Sequence, residues 1–177
     1  MCSSDLVYPA SFLLIAALNP CPCGYYGQGD RCSCDPSRIK AYLGKLSGPL
    51  LDRIDLHVSV RSVTYEQMQH IPSDTRVTSA ELRELVNTAQ RAQQARGQSC
   101  LNGQLSAREL KSVCALTPQA QMVIETNFDA LGMSMRAYHK ILKVARTIAD
   151  VAGSEMVDAA HVREALGRSE EHTSELQ

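Results

Sequence analysis

Apolar residues run without interruption from Phe12 to Leu18 and stop at Asn19-Pro20. A continuous apolar run of this length, closed by a turn signal, predicts a strand buried on both faces, as in a parallel sheet covered by helices. The polar Asn19 then falls at the carboxyl edge of the sheet, where open α/β sheets bind ligands. Further on, Asp35-Pro36 offers an N-cap with proline at the first helical position, and Ser37 to Leu43 continues with helical spacing as far as Gly44. Gly48-Pro49 breaks the chain before a short turn, Leu50-Leu51-Asp52-Arg53. From Ile54 to Val60 the chain alternates Ile, Leu, Val and Val with Asp, His and Ser, which predicts a second strand.

The period then changes. Residues 61–77 are polar and contain Pro72, so they read as a connection and domain boundary with one short helix at Tyr65 to His70. From Thr78 onward the pattern is helical. Ser79 can cap a helix running to Arg96-Gly97, Ser106 can cap Ala107 to Ala115, and Thr117-Pro118 opens Gln119 to Leu131. Ser134 opens Met135 to Ala152, in which Ile141, Leu142, Val144, Ala145, Ile148 and Ala149 recur at the helical period, and a last helix spans Asp158 to Leu166. The expected fold class is an α/β fragment that is mostly α: a strand-bearing part at 7–62, a linker at 63–77 and an all-α part at 78–167.

Composition adds boundaries. An apolar fraction of 44% with 21% charged residues is ordinary for a soluble globular protein, so no fibrous or disordered class is indicated. Met1 to Leu6 and Arg168 to Gln177 resemble conceptual translations of sequencing-adapter DNA and are set aside from the fold expectation. Removing them takes away one base and four acids and turns the formal charge from −1 to +2, too small to indicate a strongly basic nucleic-acid domain. No Lys or Arg precedes the first apolar run, and Asn-Pro-Cys-Pro-Cys is no small-residue cleavage site, so the run is not read as a secretory signal. No run reaches the length of a membrane span. A cytoplasmic protein with no membrane partner is expected, and in that compartment clustered cysteines point to metal or catalysis before disulfides.

Cys21-Pro22-Cys23 and Cys32-Ser33-Cys34 enclose a glycine-rich loop. Four thiolates in so short a stretch can supply the soft ligands of a tetrahedral structural Zn2+ site, with Gly24, Gly27 and Gly29 letting the loop fold back. Cys-x-Cys is less usual than Cys-x-x-Cys, and a close pair can hold a softer metal or none. Cys100 and Cys114 are isolated and read as small buried hydrophobes. Three further residues are ambiguous one by one. Asn19 before proline suits a plain strand-ending turn. Arg53 suits a surface arginine pairing with Asp52 or Asp55. Arg136, one turn into its helix, is poorly placed for the helix dipole, and a phosphate is one anion that would answer it.

Taken together, Ala16 to Gly24, Tyr42-Leu43-Gly44 with Ser47 to Val58, and Tyr138 to Asp150 resemble the second half of the AAA+ ATPases, and within them the magnesium-chelatase-like ATPases of the ComM/YifB type. The resemblance covers nearly everything from Val7 to Leu166. It implies that 7–62 is the last part of a nucleotide-binding core carrying the four-Cys loop, and that 78–167 is a helical lid. It further implies that Asn19 is sensor 1, Arg53 an arginine finger reaching the neighbouring subunit's nucleotide, and Arg136 sensor 2, which also binds the nucleotide. ATP with Mg2+ as cofactor, a homo-hexamer, and DNA as the partner of a branch-migrating motor in recombination and transformation are implied for the whole protein.

The departure from that pattern is large. Gly44-Lys45 is followed by Leu46 and lacks the earlier glycine of G-x-x-x-x-G-K-[ST], and no apolar strand ends in Asp-Glu. The chain by itself is therefore expected to be inactive, with the phosphate-binding loop and the magnesium-holding acid upstream of it. Two other readings compete. A magnesium-chelatase ATPase subunit is disfavoured by the cysteine loop, and a stand-alone zinc-binding helical module by the unpaired apolar edge it would leave.

Overall fold

Helices begin at the capping signals in the computed structural model, which describes residues 12–51, 53–60, 62–69 and 77–170. The chain divides into two compact units between Ser47 and Gly48. In the first unit, α1 spans Pro36–Leu43, and the Asp35 side chain accepts a hydrogen bond from the Arg38 N–H, 2.9 Å away. One 3₁₀ turn, Gly29–Arg31, lies in the cysteine loop. The strand predicted at 12–18 is not formed. Phe12, Leu13 and Ile15 are 78, 85 and 85% exposed. A strand with two apolar faces is stable only when neighbours pair with its edges and other layers cover its faces, and no described segment pairs with this one.

The second unit is helical throughout: α2 (Gly48–Leu51), α3 (Tyr65–Gln69), α4 (Ser79–Ala95), α5 (Ala107–Val113), α6 (Pro118–Ala130), α7 (Met135–Val151) and α8 (Ala159–Glu170), with a 3₁₀ turn at Asn102–Gln104. Predicted and observed helices differ mainly at their ends. α4 is capped by Thr78 in place of Ser79, because only Thr78 has a glutamate three residues on. Its hydroxyl accepts from Glu81 N–H at 3.2 Å, and the Glu81 carboxylate accepts from Thr78 N–H at 2.6 Å. Ser106 and Glu109 repeat this reciprocal box at α5. α8 continues past Leu166 into the residues set aside as foreign. His70, the predicted end of α3, and Asp52 lie outside the described residues.

The second predicted strand, 54–60, is likewise corrected to extended chain, with Leu56, Val58 and Val60 49, 69 and 88% exposed. Among the described residues the one β-type pairing is an isolated parallel bridge between Leu116 and Val157. There Thr117 N–H donates to Val157 O and Val157 N–H to Ala115 O, joining the segments that lead into α6 and α8. The α/β expectation therefore gives way to a helical one, with the mostly α part retained.

α7 is the centre of the second unit. It packs against α4, α5, α8 and the 3₁₀ turn, while α6 packs against α8. Its predicted apolar stripe does bury, with Ile141, Leu142, Ala145 and Ala149 joining Leu110, Ile124, Val157, Val162 and Leu166 in one cluster. The same helix also buries two charged side chains, Arg146 and Asp150, one turn apart. Both Asp150 oxygens are satisfied. Oδ1 accepts from Arg146 Nε at 3.1 Å and from Arg96 Nη1, and Oδ2 accepts from Arg96 Nη2 at 2.7 Å and Asn102 Nδ2 at 2.8 Å. Arg146 spends its remaining donors on the carbonyls of Glu155, at 2.7 Å, and Ser154.

Removing one member of a buried ion pair leaves the other charged and uncompensated, which costs about 3–5 kcal/mol. Asp150→Ala is expected to lower the urea-unfolding free energy of the helical signal by that amount, and Arg91→Ala, in the exposed pair with Glu84, by less than about 1 kcal/mol.

Candidate functional site

Two constellations carry chemistry, one in each unit. The first is built by the cysteine loop. Gly24 N–H donates to Cys21 O at 3.0 Å, and Gly24 holds φ +83°, which a side chain would resist. This turn sets Cys21 and Cys23 side by side. After the 3₁₀ turn, Cys32 N–H returns to Gly29 O at 3.4 Å, and Cys34 stands directly before the Asp35 cap of α1. The four Sγ atoms gather within 4.8 Å of one another. Cys21 lies 3.3 Å from Cys23 and 3.8 Å from Cys32, and Cys23 is 3.7 Å from Cys32. Four sulfurs placed about 2.3 Å from a central ion form a tetrahedron with edges of about 3.8 Å, and the Cys21–Cys32 and Cys23–Cys32 separations come close to that edge. None is in a disulfide. The cluster can hold a metal ion.

Crowding sets the thiols apart electrostatically. The Tyr25 backbone N–H, and then the Cys21 thiol, hold Cys23 down at about 6. At Cys32 the Cys34 N–H pulls the same way but is outweighed by desolvation and the neighbouring sulfurs, so the thiol is raised. Burial, followed by the Cys23 and Cys21 sulfurs, pushes Cys34 up to about 11 against the pull of the Cys23 N–H. Asn19 lies beside this loop: its exposed carboxamide sits over Gly24, with Nδ2 3.8 Å from where a Cβ would stand. The two other described cysteines behave as apolar residues. Cys114 is in the core, its thiol raised to about 11 by burial, and Cys100 packs against the core edge.

The second constellation is a groove of about 470 Å³ in the helical unit, lined by Arg53, Asp55, Met135, Arg136, His139, Lys140 and Lys143. Arg136, His139, Lys140 and Lys143 follow one another at helical spacing, so α7 presents them on one face. Ser134 caps that helix, accepting from Ala137 N–H at 3.1 Å. Arg53 follows α2, where its guanidinium donates to Pro49 O. Lys140 Nζ donates to Ile54 O at 2.8 Å and Lys143 Nζ to Gly103 O at 2.9 Å. Four basic side chains and one acid line this groove, a charge balance suited to a phosphate-bearing anion. Arg53 and Arg136, 83 residues apart in sequence, are thus brought together. Sequence reasoning passed over Lys140 and Lys143. Their signal is the spacing of basic residues from Arg136, which is visible in the chain but gains meaning only once Arg53 is known to face it.

Comparison with known proteins gives matches over both units. The family described as "Magnesium chelatase, subunit ChlI C-terminal" matches residues 76–168, and "Magnesium chelatase, subunit ChlI" matches residues 2–68. Competence protein ComM of Haemophilus influenzae is 40% identical over 166 residues, covering 93% of this chain and 32% of that protein. The YifB protein of Escherichia coli K12, itself uncharacterized, is 37% identical over 165 residues, covering 92% and 32%, and that of Salmonella typhimurium 38% over 163, again covering 92% and 32%. The chain spans about a third of the length of these relatives. Among the described residues, no helix is long and apolar enough to cross a membrane.

Metal capture is expected to be pH-dependent. Cys32 and Cys34 are raised, so they carry protons at neutral pH that an incoming ion must expel, and binding strengthens as pH rises. Below about 6, Cys23 is protonated as well and competition is strongest. Titration against a chelator of known affinity at stepped pH checks this; affinity independent of pH would rule out thiolate ligation.

Proposed function

Since the chain belongs to the magnesium-chelatase-like family of the ComM and YifB type, we propose that it is the C-terminal portion of an AAA+ ATPase. In this reading the whole protein works as a homo-hexamer that couples ATP hydrolysis to branch migration or remodelling of DNA. The observation that carries the ATPase part is the shared groove: Arg53 and Arg136 line one cationic surface although each comes from a different part of the chain. Arg53 serves as the arginine finger, presenting its planar, permanently charged fork to the nucleotide of the neighbouring subunit. Arg136, on the same groove, acts as sensor 2 on the transferring phosphate. Asn19 serves as sensor 1 and orients the attacking water. Phosphoryl transfer depends on positioning and charge stabilisation more than on covalent chemistry by the protein, and these three residue types supply both. Mg2+ bound with ATP would neutralise phosphate charge.

The four-cysteine loop is proposed to hold a structural Zn2+, on the strength of its sulfur spacing. The loop also separates this reading from its nearest rival, a magnesium-chelatase ATPase subunit, which the family descriptions favour but whose pattern has no such cysteines. The DNA role rests on the likeness to the competence protein and is independent of the groove geometry.

Two outcomes are expected for the full-length protein. Arg53→Ala should lower kcat for ATP by about 10³–10⁵-fold with nucleotide binding nearly intact, and mixing it with subunits mutated in the phosphate-binding loop should restore part of the activity; normal turnover by Arg53→Ala sinks the finger assignment. Metal analysis should find about one Zn per chain, lost in Cys21→Ser and Cys32→Ser.

A further inference from the structure

Arg53 lies in a turn closed by local bonds. Arg53 N–H donates to Leu50 O and Ile54 N–H to Leu51 O, both at 3.0 Å, and the Arg53 guanidinium turns back to Pro49 O. These contacts give the turn its shape. They say nothing of where the turn sits on the helical unit. The segment is tied to that unit further along by His57 N–H, which donates to Arg168 O at 3.0 Å, and at the groove itself by Lys140 Nζ, which donates to the carbonyl of Ile54, the residue next to Arg53. Lys140 belongs to α7, one turn after Arg136 and directly before the buried pair Ile141 and Leu142. Its stem rises from the best-packed helix of the unit, and its charged tip fixes the peptide that follows the arginine.

We propose that Lys140 is a positioning residue for Arg53: by fastening the Ile54 carbonyl to α7 it ties the Arg53 turn to the helix that carries Arg136, so that the two arginines meet a phosphate as one rigid pair. A lysine suits the task because its ammonium is a donor with no acceptor function and its charge strengthens a bond to a carbonyl. The tie stands on the geometry of this chain alone. Its consequence for turnover rests on the ATPase reading above.

The test separates the two. In the full-length protein, Lys140→Met is expected to lower kcat by about 10²-fold, the cost of misplacing a reacting group by about 1 Å, with KM for ATP unchanged. Lys140→Arg, which keeps charge and donor, should recover most of the loss. In the 177-residue chain, hydrogen exchange of the Arg53 and Ile54 amides should be faster in Lys140→Met and close to wild type in Lys140→Arg, while the α7 amides from Ile141 onward keep their protection. Unchanged exchange at Arg53 and Ile54 in Lys140→Met overturns the tie whatever the ATPase does. Faster exchange with unchanged kcat overturns the positioning role. If Arg53→Ala itself hydrolyses ATP normally, the finger assignment fails, and the exchange measurement alone decides whether Lys140 fastens the turn.

Discussion

Asp150 is a fully buried carboxylate, and most of the helical unit is arranged so that it can be there. A lone carboxylate in such a place would be expelled or protonated, because the interior solvates charge poorly. Here two guanidinium groups and a carboxamide reach it from three directions: Arg146 along α7, Arg96 from the end of α4, and Asn102 from the 3₁₀ turn. Each of these commits its own backbone. Arg96 places the end of α4 beside α7, Asn102 brings the 100–104 segment under it, and Arg146 binds the carbonyls of Ser154 and Glu155 that lead towards α8. The apolar cluster supplies the bulk of the burial. The network around Asp150 joins those surfaces by directional contacts, and a fork-to-carboxylate pair tolerates little displacement.

α7 therefore has two jobs on two faces. One face enters the core with Ile141, Leu142, Ala145 and Ala149, and the other lines the cationic groove with Arg136, His139, Lys140 and Lys143. Both follow from a 3.6-residue period carrying two interleaved patterns. Because the apolar face is fixed by packing and by Asp150, the basic face is presented on a rigid support. An anion-recognising surface gains from that, as little ordering of its side chains is left for the moment of binding.

The cysteine cluster depends on much shorter-range forces. Its two pairs lie within fourteen residues, its turns are closed by hydrogen bonds inside the loop, and the second pair is seated against the N-cap of α1. Such a loop can bring four sulfurs together from local chain geometry. This is why the gathering of the four thiols was readable from the spacing alone.

Capping residues, the period of the apolar stripe on α7 and the cysteine spacing are local properties, so the sequence by itself determined the helices, their approximate ends and the gathering of four cysteines in one loop. Even there Thr78 displaced Ser79, because a cap is chosen by its reciprocal glutamate as well as by its own hydroxyl. The strands at 12–18 and 54–60 were misjudged for the opposite reason: an alternating or continuous apolar pattern states a demand for partners, and whether partners exist is not a local property. The roles proposed for Asn19, Arg53 and Arg136 come from resemblance to a family. The burial of Arg146 and Asp150 and the convergence of Arg53, Lys140 and Arg136 on one groove were decided by tertiary structure alone, since contacts between residues 48 to 86 positions apart exist only after the helices have packed.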